Sequence, residues 1–454
     1  MIETINPATG ESIQRHAVMG MKDAAAVAEA TGKAAYQWGR VPVDDRAQLV
    51  DRLAEVLRDR SEEYARLMTL EMGKPIGQAR AEVEKCAWVC EYYAENAPRF
   101  LAETPVDTDM AESFVVFSPV GVVLAVMPWN FPFWQALRFA APAVAAGNGV
   151  LLKHAPNTTG CGLALEALFD HAGFPADLVR SVIVSNEGVH GLIAHRAVRA
   201  VTFTGSPAGG RAVAATAGHQ LKKTVLELGG SDPYVVLADA DLDVAAGACV
   251  SSRLINSGQS CVAAKRFIVD RTVADDFLQR VVEGMAQAVV GDPMVEQTTV
   301  GPLAREDLRA TLDDQVQRSV AQGASCILGG QLHPGPGWFY QPTVLTDITP
   351  GMPAYEEELF GPVAVVITAE DTADAVRIAN DSAYGLGAAV FSTDTARARQ
   401  IATDALAAGV CAVNTFVRSD PRLPFGGIKD SGYGRELSEF GIREFVNVKA
   451  VSVA

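Results

Sequence analysis

Short apolar runs that alternate with helical stretches leave a chain few folds to choose from. From about residue 115 the sequence reads VVFSPVGVVLAVMP, NGVLLKHA, RAVTFTGS and KTVLELGG, with helical segments between these runs. Strands spaced in this way imply parallel βαβ units whose sheet is covered on both faces, and hence a doubly wound α/β lobe. A second series opens near residue 233 with PYVVLA and a small-residue helix, DLDVAAGACVSSRLINS, followed by KRFIVD, PVAVVITA, GAAVFST and GVCAVNT. The two series meet at ELGGSDP, where two glycines and Pro233 break the pattern. Residues 22 to 100 show apolar positions every three or four residues, which predicts amphipathic surface helices. A chain of 454 residues is longer than one core usually organises, in line with two or more lobes.

Charge and cysteine usage narrow the function. Lys and Arg total 38 against 54 Asp and Glu, a net charge of −16 that disfavours nucleic acid or an anionic membrane as the main partner. The first residues, MIETINPATG, lack the features of a signal peptide, and the longest apolar candidate, GVVLAVMPWNFPFW, is broken by Pro and Asn. A cytoplasmic protein is expected. The cysteines, at 86, 90, 161, 249, 261, 326 and 411, are odd in number and irregular in spacing, which favours reduced thiols. Cys86 and Cys90 share a helix face and read as core. The histidines are scattered with no HExxH pair, so no metal site is expected.

No complete GxGxxG is present. Two stretches offer a substitute. In VTFTGSPAGGR, Gly205 and Ser206 follow a strand and Pro207 can open a helix, whose N-terminus suits a pyrophosphate; an ordinary βα turn fits equally. In GVLLKHAPNTTG, Lys153 ends an apolar strand, where it can meet a ribose or phosphate or simply be solvated. Four further segments are dense in unusual residues: MPWNFPFWQALRF, LELGGSDP, NSGQSCVAAKR and EEELFGPV. Singly, Trp129 is a core aromatic, Asn130 a turn residue, Glu227 a paired acid, Cys261 a buried thiol and Glu358 a solvated acid.

Together, PWNFP, FTGS, LELGG, GQSC and EELFGP stand in the order and rough spacing of the NAD(P)-dependent aldehyde dehydrogenase superfamily, which the chain resembles from INPATGE to the closing FVNVKAVSV. The resemblance implies a fold with two Rossmann-like domains and a small β oligomerisation element. It assigns residues 1–104 and 122–230 to cofactor binding, 231–430 to catalysis, and 105–121 with 436–454 to a homodimer or homotetramer. It also implies that Cys261 is the nucleophile, Glu227 the general base and Asn130 an oxyanion donor, with the Cys261 N–H as the second donor. Trp129, Lys153, Gly205, Ser206, Glu358 and Phe360 would hold NAD or NADP. A carboxylate near a thiolate in a partly dry site should have a raised pKa, which suits proton removal near neutrality. Members that prefer NAD often carry Glu three residues after the lysine, where this chain has Pro156, so use of both cofactors is expected.

The shorter bacterial succinate-semialdehyde dehydrogenases are the most similar members. By that resemblance Arg138 would face the aldehyde tunnel and pair with a substrate carboxylate, unless it forms a structural ion pair with one of the chain's many acids. Arg418, Ser419 and Arg422, in a loop over the tunnel mouth, are further candidates. Two departures stand out: Ile255 replaces an arginine some members carry six residues before the nucleophile, and Ala263 replaces a regulatory cysteine. Another small aliphatic or carboxylated aldehyde remains an alternative. So does a cysteine-dependent esterase or acyltransferase, although such sites need a histidine beside the thiol and none is near in sequence.

Overall fold

The computed structural model describes residues 1–454. An antiparallel pair, β1 (Ile2–Ile5) and β2 (Ser12–His16), leads into four helices, α1 (Met21–Trp38), α2 (Val43–Asp59), α3 (Ser61–Met72) and α4 (Ile76–Phe100). Their faces follow the sequence period: α2 buries Ala47, Val50, Leu53, Ala54 and Leu57 and turns most of its charged residues outward. Two short strands follow, β3 (Thr104–Pro105) and β4 (Glu112–Pro119).

The first large sheet takes β5 (Val122–Val126), β6 (Gly149–Lys153), β7 (Val179–Ser181), β8 (Val198–Thr204) and β9 (Lys223–Glu227). Between them run α5 (Pro132–Ala145), α6 (Thr159–His171), α7 (Asn186–Ala194) and α8 (Pro207–His219). All five strands are parallel, in the order β9-β8-β5-β6-β7. Every residue of β5 and β6 is buried, because helices cover both faces. The chain steps outward from β5 to β7 and then returns to the other side of β5 at β8. That reversal opens a crevice beyond the carboxyl ends of β5 and β8, the place where ligands of open α/β sheets bind.

The chain leaves this sheet at Glu227 and enters the second at β10 (Asp232–Val236). After α9 (Leu242–Leu254) come β11 (Ala264–Asp270), β12 (Ser325–Leu328), β13 (Thr343–Thr346), β14 (Val363–Ala369), β15 (Gly387–Phe391) and β16 (Val410–Val413), in the order β12-β13-β14-β11-β10-β15-β16. Alternate residues of β10 feed different cores: Val235 packs into one with Ile268 and Val365, Tyr234 and Val236 into another with Phe267 and Val366.

Three antiparallel pieces depart from the all-parallel pattern. β12 runs against β13, and β17 (Gly432–Tyr433) caps the first sheet by pairing with β9. β18 (Val446–Val453) pairs with β4 over eight residues. Strands as short as β17 carry too little pattern to be read from sequence. No helix is long and apolar enough to cross a membrane.

Candidate active site

The two large sheets meet with opposite ends. The carboxyl ends of β5, β8 and β9 present Trp129, Asn130, Gly205 and Glu227, while the segments leading into β10, β11 and β14 present Gly230, Cys261, Glu358 and Phe360. Several contacts hold the junction together. Asn130 Nδ2 donates to the Gln259 carbonyl at 3.1 Å, the Gly230 N–H to Glu358 Oε1 at 3.0 Å, and the Trp129 and Phe360 rings meet edge-on at 5.7 Å.

Cys261 sits on a loop whose backbone is held in an unusual shape. Asn256 and Ser257 have φ of 55° and 57°, left-handed values that non-glycine residues adopt only when their surroundings hold them. Asn256 is held by its own side chain, whose Nδ2 donates to the carbonyls of Asn130 (2.7 Å) and Gln259 (3.1 Å). Gly258, also left-handed at 77°, passes so close to Gly361 that a Cβ would collide with its carbonyl. Lys265, fully buried four residues beyond the thiol, donates to the carbonyls of Ser260 (3.1 Å) and Cys261 (2.8 Å) and lies 3.4 Å from Glu358 Oε1. The Cys261 N–H has no partner within the protein.

The thiol opens on a cavity of about 440 Å³, lined among others by Phe131, Trp134, Gln135, Phe416 and Phe425. Burial pushes its pKa up to about 11, against the pull of Arg138 and Lys265, so the resting group is the thiol. Asn130 is buried, and its amide has a second N–H beyond the one given to Gln259.

Glu227 has the raised pKa that was expected, with burial as its first cause. It is 2% exposed, and neither carboxylate oxygen has a hydrogen-bond partner. Its pKa is raised well above the usual carboxylate range, first by burial and next by the charge of Glu436, not by the thiol. It lies against Gly426 and outside the lining of the thiol's cavity.

For Arg138 the structure shows the ion pair that the sequence reading kept as its alternative. The side chain reaches the cavity wall, but the guanidinium is held in a buried ion pair with Glu436 and rests 4.9 Å from the Phe425 ring centre. Glu436 takes the Nε side of the guanidinium, while Nη2 is buried with no hydrogen-bond partner. Arg138→Ala would strand Glu436 as an uncompensated buried charge. The expected cost is about 3–5 kcal/mol of stability, read from the denaturant midpoint.

Among the loop candidates, Arg418 and Ser419 line the cavity, whereas Arg422 does not. Arg422 is spent on Asp420, with bonds of 2.9 and 2.7 Å, because the two sit on one tight turn. Two residues that sequence reasoning passed over also matter. Glu82 of α4 accepts from the N–H groups of Phe133 and Trp134, both at 3.0 Å, so a buried carboxylate caps α5; its other oxygen pairs with Lys74. Lys85, one turn further along α4, lines the cavity.

The dinucleotide candidates cluster at the crevice. Ser206 caps α8, accepting from the Gly209 N–H at 3.3 Å, and Pro207 opens that helix. Lys153 is only 7% exposed and has no bonding partner, and burial lowers its pKa. Both side-chain atoms of Asn157 and the hydroxyl of Thr204 are buried without partners. Unpaired polar groups at strand ends fit a polar ligand that would satisfy them. A Cβ on Gly229 would run into the Glu358 carboxylate, so glycine alone lets that acid reach the Gly230 N–H.

Two facing α/β sheets with a thiol at their junction and unpaired polar groups at the strand ends define a nucleotide-dependent oxidoreductase. The chain belongs to the Aldehyde dehydrogenase family, whose sequence model matches residues 1–451. It is 46% identical over 453 residues to a probable succinate-semialdehyde dehydrogenase (NADP+) of Synechocystis sp., covering 100% of each chain. It is also 46% identical to a succinate semialdehyde dehydrogenase (NAD(P)+) of Escherichia coli, covering 99% of this chain and 97% of that protein. The solved succinic semialdehyde dehydrogenase of Streptococcus pyogenes, in complex with NADP+, superposes with a TM-score of 0.97 at 37% identity, each chain fully covered.

Proposed function

We propose that this protein oxidises succinate semialdehyde to succinate with NAD(P)+. The observation that carries the reading is Cys261, set in a cavity beside an unclaimed backbone N–H in a chain of this family. The thiol adds to the aldehyde carbon through sulfur as its proton passes to solvent water in the cavity. The new alkoxide is held by the Cys261 N–H and the second N–H of Asn130, donors already placed before the charge develops. Bound NAD(P)+ supplies the hydride acceptor. The resulting thioester is hydrolysed by a water that Glu227 deprotonates after its side chain turns toward the cavity; a raised pKa suits that task.

Lys153 and Asn157 would hold the adenosine ribose and its substituents, and Gly205 and Ser206, at the α8 N-terminus, the pyrophosphate. Glu358 would orient the nicotinamide ribose, with Phe360 and Trp129 packed beside the ring. Pro156 puts no acid near Lys153, so a 2′-phosphate meets no repulsion from that position, which supports use of both cofactors. An esterase reading is weaker because no histidine lines the cavity.

β18 is an edge strand with Val448 60% and Val453 44% exposed, which favours pairing with a second copy into a dimer or tetramer. Domains at 1–104 with 122–230, 231–430, and 105–121 with 436–454 fit this assignment. Seven free cysteines fit a reducing cytoplasm.

Absorbance at 340 nm, followed with succinate semialdehyde, butanal and longer neutral aldehydes against NAD+ and NADP+ at equal concentration, tests the reading. Succinate semialdehyde should give the highest kcat/KM. Failure to reduce either cofactor with any aldehyde would end it.

A further inference from the structure

Selection of a carboxylated aldehyde requires a cation in the cavity that no protein acid already holds. Arg138 meets it only in part: its charge is already paired with Glu436, although Nη2 has no hydrogen-bond partner. Arg418 is exposed, so solvent competes for any pair it makes.

Lys85 meets it. Gln78, Ala81, Glu82 and Lys85 form one cavity-lining face of α4. The Lys85 Nζ makes one hydrogen bond, to Ser419 Oγ at 2.8 Å, and lies 4.2 Å from the centre of the Trp134 ring. An ammonium has three donors, so two N–H bonds have no protein acceptor. The nearby acids are committed elsewhere: Glu82 to the α5 N-terminus and Lys74, and Asp420 to Arg422. A partly desolvated cation next to an aromatic face, with no carboxylate of its own, is incomplete until an anion enters.

Resting on the aldehyde reading above, we propose that Lys85, positioned by Ser419 and Trp134, is the residue that selects aldehydes carrying a second, negatively charged end. A small carboxylate would take the two free N–H bonds and the Ser419 hydroxyl, which keeps its own proton to donate.

The groups facing Lys85 are Glu82 and Cys86 on its own helix, Arg138 and Trp134 on α5, and Arg418, Ser419 and Asp420 on the covering loop. Burial, and then Arg138, lower its pKa to about 8. The sign follows: the cation is present below that pH and lost above it. The KM for a carboxylated aldehyde should therefore climb above about pH 8 more steeply than the KM for a neutral one.

The test compares wild type, Lys85→Met and Lys85→Arg with succinate semialdehyde and butanal at pH 7 and 9. Lys85→Met should lower the ratio of the two kcat/KM values roughly ten- to hundredfold, the scale of a lost charged hydrogen bond, and mostly through KM. Lys85→Arg should keep most of that ratio and move the pH dependence upward, since a guanidinium does not titrate there. A Lys85→Met ratio equal to that of wild type, or a loss of ratio in Lys85→Arg as large as in Lys85→Met, would overturn the proposal. If wild type itself shows no preference for succinate semialdehyde over butanal, the substrate reading falls first. A wild-type preference that survives in Lys85→Met removes only the role given to Lys85.

Discussion

Cys261→Ala should abolish aldehyde-dependent reduction of NAD(P)+, with a loss on the order of 10⁴-fold or more, the scale seen when a covalent nucleophile is removed. The reason is chemical. An aldehyde cannot release hydride until a nucleophile has made its carbon tetrahedral, and no other cavity residue offers a comparable group. Cys261→Ser would fare nearly as badly, because a hydroxyl is harder to deprotonate and the ester it leaves is harder to hydrolyse. The structure sharpens the expectation. Burial raises the thiol to about 11, while Arg138 and Lys265 pull it back. Activity at 340 nm measures the loss, and mass spectrometry of wild type quenched during turnover should find the acyl adduct on the peptide containing residue 261. Full turnover in Cys261→Ala would refute the covalent route.

Sequence and structure agree best where the signal is local. The doubly wound lobes were legible because covered strands such as VVLAV and GVLLK are apolar throughout and the helices between them are long. The Cys261 loop, the Pro207 helix start and the Ser206 cap each lie within a few adjacent residues. What stayed hidden depends on partners far apart along the chain. Arg138 reads as a tunnel arginine or as half of a structural ion pair, and nothing in GYGRE says that Glu436 is its partner. Lys85 stands in VEKCAW, where a lysine on an amphipathic helix has the same pattern whether it faces solvent or a cavity. Lys265 offered a weak signal, a cation in an otherwise apolar strand, AKRFIVD, that the fold buries at every position. Arg422 misled because its partner, Asp420, is two residues away in a loop whose shape the sequence does not specify.

Glu227→Gln separates the two halves of the reaction. Glutamine keeps the size and can still be buried, but it cannot take a proton from water, so thioester hydrolysis should slow by about 10²- to 10⁴-fold. Addition to the aldehyde and hydride release should suffer less, and stopped-flow absorbance should show a burst approaching one NAD(P)H per site followed by near silence. In wild type, burial and Glu436 raise the Glu227 pKa, and only the deprotonated form accepts a proton. Hydrolysis should therefore rise as pH climbs through that raised value, and this limb should vanish in Glu227→Gln. The side chain lies outside the cavity lining, beside Gly426, and must swing to reach water at the thioester. A Glu227→Gln enzyme that turns over steadily with the wild-type pH profile would assign the proton to another group.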